Sequence, residues 1–502
     1  MKEVLKAAGQ PLLLKNAIVL TPARKLPGGG VFVKDGRIEQ VFPDREALAR
    51  FEAGIPADYG MKVIDLGGDF LSPGFIDLHC HGGGGHDFMD GTAEAFAGAG
   101  RMHLMHGTTC MYPTTLASTR ESLERSIAAF GEAKGRKGIP EFPGLHLEGP
   151  YFAMSQRGAQ DPAHIRNPDP AEYMSVLERS RDVARWTLAP ELPGAMEMAR
   201  ALAARGILPA VGHSDATSAV IAEAHENGFT LVTHLYSGMS MVHRIKAYRY
   251  AGVVEAAYLI DDMAVEVIAD GSHLPESLLK LICKIKRPDR ICLVTDAMRA
   301  AGLPEGNYIL GGKSDGQLVS VHDGVAWTAD GLSFASSVAT AERLVRTMVR
   351  LAGLPVETAV AMMSSSPAQV MGIQDRKGSI VPGKDADLVA FDEQICFDDL
   401  ADFVVLRVVE LELSHITEGF HARFGKMPRS RFVRELFTQL TITYLNSFVS
   451  VCANGLLLDD GARTGFDDCY GDHGTVSSEH LRHTDLFAQN GFLHVYLRLV
   501  TV

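Results

Sequence analysis

The 502-residue chain is poor in cysteine: seven in all, an odd number, with no C-x-x-C pair. A disulfide framework would be denser, so a small stapled scaffold is excluded and a reducing compartment is expected. Basic charge is also short. Lys and Arg number 48 against 61 Asp and Glu, a formal charge of −13. Nucleic acid is therefore not expected as a main partner, since phosphate backbones require a basic surface. No run approaches the roughly 20 apolar residues of a membrane span. The opening MKEVLKAAGQ lacks the apolar stretch of a secretory leader. These absences predict a cytoplasmic protein with no membrane partner. A G-x-G-x-x-G after the first strand is missing too, which weighs against a dinucleotide-binding doubly wound sheet.

What is present is an ordinary globular balance, 46% hydrophobic and 22% charged, with 50 glycines, four of them consecutive at Gly82 to Gly85. Glycine without a collagen period suits tight turns and close approach of backbone to a ligand. At roughly 150 residues per domain the length suggests about three, although α/β barrels run to about 250 residues as one unit.

Residues 10–70 read as β. PLLLKNAIVL and GGVFVKDGRIEQVF are short β-rich runs, and Asp35-Gly36 in the second is a strong hairpin signal. Over 71–375 eight short apolar runs ending in polar residues alternate with Ala-, Glu- and Arg-rich helical stretches. The runs are PGFIDLHCH, GTTCMYPTT, PGLHLEGP, RWTLAPEL, GILPAVGHSD, FTLVTHLYS, VEVIADGSH and RICLVTDAM. Their number predicts an α/β fold built as a (β/α)8 TIM-like barrel, with the open doubly wound sheet as the competing architecture. A further β stretch within 376–395 is expected to join the N-terminal strands, giving a small β-sandwich formed from both ends of the barrel domain. The C-terminal tail, 396–502, holds apolar patches but no repeat or motif, and its fold is left unassigned.

The chemistry begins at His79-Cys80-His81. Alternate residues of a strand share a face, which places Phe75, Asp77, His79 and His81 together and Ile76, Leu78 and Cys80 opposite. Two loop histidines would give the same isolated H-x-H, but the pattern recurs. Glu148 closes one apolar run with His146 one inward position before it. His213, His234 and Asp296 close others, and His273 follows VEVIADGS. Carboxyl ends of strands are where barrel active sites are built. So many buried polar groups would be costly unless they converge on positive charge. Histidine plus carboxylate without thiolate suits Zn²⁺, or Fe²⁺ or Mn²⁺, with positions left open for water. Cys80 reads as a small packed hydrophobe, and His86, His103 and His106 as ordinary helix or loop residues.

In order along the chain, PGFIDLHCHG, HLEGPYF, GHSDAT, THLYSGMS, ADGSHLP, LVTDAMRAAG and GSIVPGKDADLVAFD resemble the N-acetylglucosamine-6-phosphate deacetylase family of the amidohydrolase superfamily. The resemblance spans about residues 10–395. It implies metal-dependent hydrolysis of the acetamide of N-acetylglucosamine 6-phosphate to glucosamine 6-phosphate and acetate, one or two divalent ions, and a homodimer. Glu148, His213 and His234 match the core metal ligands. His79 and His81 match a second metal position bridged by Glu148 and completed by Asp296. Asp296 also matches the general acid/base, and His273 the residue beside the scissile group.

Substrate contacts carry over through Ala159, Ser237, Gly238, Phe334, Ala335, Ser336 and Arg249, with Arg244 as an additional cation between His243 and Lys246. Here the chain departs from the family pattern. Ser237-Gly238 stands for the usual Asn-Ala, Gln160 stands where His is common, and Gly331 to Ser337 replaces a G-T-L-A-G-S stretch. The same hydrolysis on another N-acylated amino sugar or small amide is one alternative. A catalytically inactive metal- or sugar-binding protein is another, opposed by the presence of Asp296 and every metal position. An acidic chain that binds a sugar phosphate needs a local basic pocket, expected between His243 and Arg249. The family's further sandwich strands after Phe391-Asp392 are not legible here.

Overall fold

In a computed structural model of the chain the described residues are 10–22, 24–56 and 58–395, together with the backbone of 404–406. The N-terminal runs form β1 (Leu12–Leu20), β2 (Lys25–Lys34) and β3 (Arg37–Phe42). Antiparallel pairing sets Lys34 opposite Arg37. The two residues between them, Asp35 (φ 49°) and Gly36 (φ 73°), are both left-handed, the backbone a two-residue hairpin turn demands. Strands β4 (Lys62–Asp65) and β5 (Phe70–Pro73) join β1 in parallel. From beyond the barrel segment, β22 (Leu388–Phe391) pairs antiparallel with β5, and β23 (Val404–Leu406) with β22. Segments on either side of the barrel thus meet in one seven-stranded mixed sheet. The strand at Val404–Leu406 falls in the stretch where no motif signals one; the rest of 396–502 lies outside the described residues. Period-two alternation divides the sheet's faces. Leu12 and Leu14 pack with Val31, Val33, Ile38 and Leu388, whereas Leu13 packs with Phe32, Phe42 and Leu48 of the helix Arg45–Gly54.

Each of the eight apolar runs supplies a strand. They are β6 (Phe75–Cys80), β9 (Thr108–Pro113), β10 (Leu145–Glu148), β11 (Val183–Leu188), β12 (Leu208–Val211), β13 (Leu231–Val232), β16 (Ala264–Val267) and β17 (Ile291–Leu293). From β10 to β17 they form a six-stranded parallel sheet in chain order, and β6 and β9 form a parallel pair. Parallel bridges at Thr114–His146 and Cys80–Ala297 link that pair to either edge of the sheet. A helix follows each strand, from Ala93–Met105 after β6 to Ala341–Arg350 after β17. Strand residues such as Val211, Val265 and Leu293 face these helices in the main core. On the other face Ile76, Leu78, Tyr112 and Cys292 form one interior cluster, Ala210, Leu231 and Ala264 another, and Val370 touches both from the end of the helix Ser365–Val370.

Three small pairings decorate the carboxyl ends of these strands. Gly82–Gly83 (β7) pairs with His86–Asp87 (β8) directly after β6. A hairpin of β14 (His243–Ile245) and β15 (Tyr248–Tyr250) follows β13. A four-stranded meander of β18 (Gly306–Leu310), β19 (Gln317–His322), β20 (Val325–Thr328) and β21 (Phe334–Ser337) follows β17. The sequence reading did not foresee this meander. Its β19–β20 turn carries Asp323 (φ 54°) and Gly324 (φ 70°), the same Asp-Gly signal that marks the first hairpin. No helix among the described residues is long and apolar enough to cross a membrane.

The terminal sheet is tied to the barrel through Lys377. Its side chain, 2% exposed, pairs with Asp387, with Glu141 at 3.0 Å and with Asp385 at 3.2 Å. Burial alone would depress the ammonium, but the neighbouring carboxylates hold it above the ordinary lysine value. Lys377→Ala takes the buried cation from three carboxylates, of which Glu141 and Asp385 keep Arg376. It should cost about 3 kcal/mol, the lower end for a broken buried pair because the partners keep some solvent. A urea midpoint unchanged from wild type would contradict this linkage.

Candidate active site

Strand β6 delivers two histidines to the interior by breaking its own alternation. Its register with β9 shifts between Phe75 and Ile76 and again between Asp77 and Cys80. Phe75 and Cys80 consequently both pack in the outer core, while Ile76 and Leu78 pack in the barrel interior. The expectation that Phe75, Asp77, His79 and His81 share one face is therefore corrected: an extra residue at a bulge resets which side chains point inward. Asp77 instead accepts from the Thr295 hydroxyl at 2.5 Å and the Thr295 N–H at 3.2 Å. Burial pushes its carboxyl up to about 7. Cys80 is a packed residue, as expected, yet its thiol also lies 3.2 Å from His103 Nε2.

Beyond the bulge, His79, His81, Glu148, His213, His234 and Asp296 converge, all of them buried. His79 and His81 approach each other at Nε2 to 3.2 Å. Glu148 Oε1 lies 3.0 Å from His234 Nε2, 3.4 Å from His213 Nε2 and 3.5 Å from His79 Nε2. Its other oxygen lies 3.5 Å from His81 Nε2, and Asp296 Oδ1 lies 3.2 Å and 3.4 Å from His81 and His79. Ligand atoms about 2.0–2.1 Å from a tetrahedral ion stand roughly 3.3–3.4 Å apart. The donor spacing therefore fits a divalent cation. Two overlapping sets are formed, His79–His81–Glu148 and Glu148–His213–His234, with ligand atoms within 4.8 Å of one another in each. Glu148 belongs to both.

Second contacts aim these donors. Glu266 Oε2 takes the Nδ1–H of His79 at 3.1 Å, and the Gln156 carbonyl takes that of His213 at 2.8 Å. In the neutral form of each ring this contact fixes Nε2 as the atom whose lone pair faces the centre, as a metal ligand requires. Gln160 donates to Glu148 Oε2 at 2.7 Å while its own oxygen accepts from the Ala117 N–H at 2.9 Å. Burial would raise the Glu148 carboxyl, but the charge of His79 and the bonds from His213 and His234 hold it well below the usual carboxylate range. Asp296 is likewise depressed against the effect of burial, by His79 and His81. For His81 and His234 burial is outweighed by the facing carboxylates, Asp296 for one and Glu148 for the other, which lift both to about 9. His213, His234 and Asp296 hold φ of 49°, 29° and 46°. Left-handed backbone at a non-glycine residue costs on the order of 1–3 kcal/mol and persists where the surroundings over-determine it.

A cavity of about 330 Å³ opens over the cluster. His81, Glu148, His213, His234 and Asp296 line it, and Ala159, Ser237, Gly238, His273, Phe334, Ala335 and Ser336 complete its walls. At Gly238 (φ 56°) a Cβ would stand 2.7 Å from His213 Nδ1, so the wall requires glycine there. His273 is fixed by Asp270, whose carboxylate takes its Nδ1–H and its backbone N–H, each at 2.8 Å, and its ring leans on Phe334 at 4.9 Å. Arg244 and Arg249 are not brought to this cavity. They face each other across the exposed hairpin β14–β15, and no Arg or Lys is among the described residues lining the cavity. Sequence reasoning missed Asp77, Arg185, Glu266 and Asp270. Charged residues inside otherwise apolar strands were the available signal for the first three.

The amidohydrolase family profile matches residues 70–415. An N-acetylglucosamine-6-phosphate deacetylase of Lysinibacillus sphaericus is 33% identical over 390 residues, 76% of this chain and 94% of that protein. An N-acetylgalactosamine-6-phosphate deacetylase of Escherichia coli O157:H7 is 33% identical over 334 residues, 66% of this chain and 86% of that protein. Among solved structures, a mutant N-acetyl-D-glucosamine-6-phosphate deacetylase from Mycobacterium smegmatis in complex with N-acetyl-D-glucosamine-6-phosphate superposes with a TM-score of 0.68. It is 31% identical, over 77% of this chain and 97% of that one.

Glu148→Gln keeps the side-chain volume but removes the charge shared by both ligand sets. Divalent metal retained after dialysis, measured by elemental analysis, should fall at least about tenfold with the far-UV circular dichroism unchanged. Wild-type metal content in this variant would contradict the assignment of the cluster as a metal centre.

Proposed function

The chain belongs to the N-acetylglucosamine-6-phosphate deacetylase family of amidohydrolases, and from that premise we propose that it hydrolyses the acetamide of N-acetylglucosamine 6-phosphate to glucosamine 6-phosphate and acetate. The observation that carries the reading is the meeting of Asp296 with two overlapping imidazole–carboxylate sets at the floor of one cavity. Its volume, about 330 Å³, is at the small end for ligand pockets and suits a single sugar ring better than a polymer.

Glu148, His213 and His234 would hold one divalent ion, with His79, His81 and Asp296 serving the adjoining position; Zn²⁺ is the expected metal, and Fe²⁺ and Mn²⁺ suit the same donors. When bound, such an ion supplies Lewis acidity towards an amide carbonyl and makes water a nucleophile at neutral pH. Asp296 takes a proton from the attacking water as the new C–O bond forms. It returns that proton to nitrogen as the C–N bond breaks and the electron pair leaves with the amine. His273, with Nδ1–H held by Asp270, presents Nε2 to the cavity and in its imidazolium form donates to the developing oxyanion. Ala159, Ser237, Gly238 and the Phe334–Ser336 strand shape the wall against the sugar.

The 6-phosphate reading rests on Arg244 and Arg249. Both are exposed on their hairpin, so we place them at the cavity of a second copy in a homodimer. The cytoplasm is the setting we assign, with residues 71–375 as the catalytic barrel and 10–70 with 376–395 as its flanking β domain, built as one sheet that Val404–Leu406 extends rather than as the two-sheet sandwich expected. The N-acetylgalactosamine-6-phosphate deacetylase among its relatives makes the epimeric sugar phosphate the second substrate to assay. Replacing Arg244 and Arg249 together by Ala should raise KM for the phosphorylated sugar roughly 10- to 100-fold, as expected for lost charge-assisted hydrogen bonds. Hydrolysis of free N-acetylglucosamine should stay unchanged. Equal turnover of free and phosphorylated sugar by the wild type would sink the phosphate assignment.

A further inference from the structure

Beneath the ligand cluster lies a second polar layer that the reaction does not use. Arg185 of β11 and Glu266 of β16 are both fully buried and paired through Arg185 Nη1 and Glu266 Oε1. Arg185 also donates to the Leu78 carbonyl at 3.1 Å and to Thr233 Oγ1 at 3.2 Å. Thr233 contacts Thr187 at 2.9 Å, and Thr187 contacts His146 Nε2 at 2.7 Å. His146 Nδ1 then lies 3.1 Å from Thr114 Oγ1, which accepts the Cys80 N–H at 3.1 Å. Leu78 and Cys80 are the residues on either side of His79. Glu266 Oε2, besides taking Nδ1–H of His79, accepts the His234 backbone N–H at 3.3 Å.

The layer does not serve the four imidazoles equally. His79 alone among them has a carboxylate on Nδ1. His213 has a carbonyl there, and the Nδ1 atoms of His81 and His234 have no hydrogen-bond partner among the described residues. A carboxylate behind a ligating imidazole fixes its tautomer and strengthens it as a donor. The Arg185 fork holds that carboxylate and, through Leu78, the backbone leading into His79. We propose that Arg185 and Glu266 are a positioning pair that makes the His79–His81–Glu148 position competent for a second metal ion; the Glu148–His213–His234 position they touch only through the Thr233 hydroxyl and the His234 backbone N–H, not through a ligating ring. This rests on the reading of the cluster as a metal centre.

The bland role for a buried ion pair is to fill the barrel, and the test must separate the two. Substituting both partners by Met removes the charges together while keeping apolar volume, a change that folds tolerate or gain from. The metal-stripped full chain, wild type and Arg185→Met/Glu266→Met, is titrated with Zn²⁺ by calorimetry, and melting curves are recorded alongside. Wild type should take two equivalents. The double variant should bind the second about 10- to 100-fold more weakly while the first, whose ring ligands lose no partner, weakens far less; equal loss at both would overturn the selective role. Arg185→Met/Glu266→Gln, which leaves no unpaired buried charge, keeps the size of residue 266 and places an amide against Nδ1, should show the same selective loss and carries the test if the double Met variant does not fold. Two equivalents at wild-type affinity in the variants would overturn the positioning role, as would a wild type that binds a single ion. A wild type that binds no Zn²⁺ would instead overturn the metal-centre reading itself.

Discussion

Glu148 sets the terms for the mouth of this barrel. A carboxylate almost wholly removed from water is untenable alone, and it is surrounded by the Nε2 atoms of His79, His81, His213 and His234 at 3.0–3.5 Å. Those histidines come from three strands, so the charge can be satisfied only if β6, β12 and β13 end at matching heights. The left-handed residues at His213, His234 and Asp296 follow from the same demand. They turn each chain sharply at its strand end so that the side chain stays inside. The bulge in β6 does the equivalent for two histidines in succession.

Below that charge the barrel interior is graded. Val370 and its apolar neighbours close the floor, Arg185 and Glu266 form a neutralised middle layer, and the ligand cluster lies above. The gradation explains how a parallel sheet with helices on its outer face can carry so many charges inside. Each charge has a partner of opposite sign in its own layer or the adjoining one. Lys377 plays the corresponding part outside, joining the barrel to the sheet made from the segments that flank it.

Much of this was legible in the residues. The eight strands could be read because each is a short apolar run closed by a polar residue, and six of those polar residues meet at or beside the cavity floor. The facing of Phe75 and Asp77 could not be read, because simple alternation has no means of registering a bulge. Arg185 and Glu266 were passed over because RWTLAPEL and VEVIADGSH look like ordinary strands. A charge in the middle of a strand buried on both faces is itself the anomaly that should have marked them. The meander over Gly306–Ser337 was missed although Asp323-Gly324 repeats the turn signal read correctly at Asp35-Gly36. Arg244 and Arg249 show a different limit: a motif identifies a cation without saying whether it reaches the cavity of its own chain.

Asp296 is where the charge constraint and the proposed chemistry meet, since it faces two of the imidazoles around Glu148, His79 and His81, and lines the same cavity. The most direct measurement is acetate release from N-acetylglucosamine 6-phosphate by wild type and Asp296→Asn, each adjusted to equal bound metal. The wild type should release acetate and free amine in equal amounts, and the variant should lose at least about 100-fold in kcat, the scale of a missing general acid/base. Undiminished turnover by the variant, or no acetate from the metal-loaded wild type, would contradict the account.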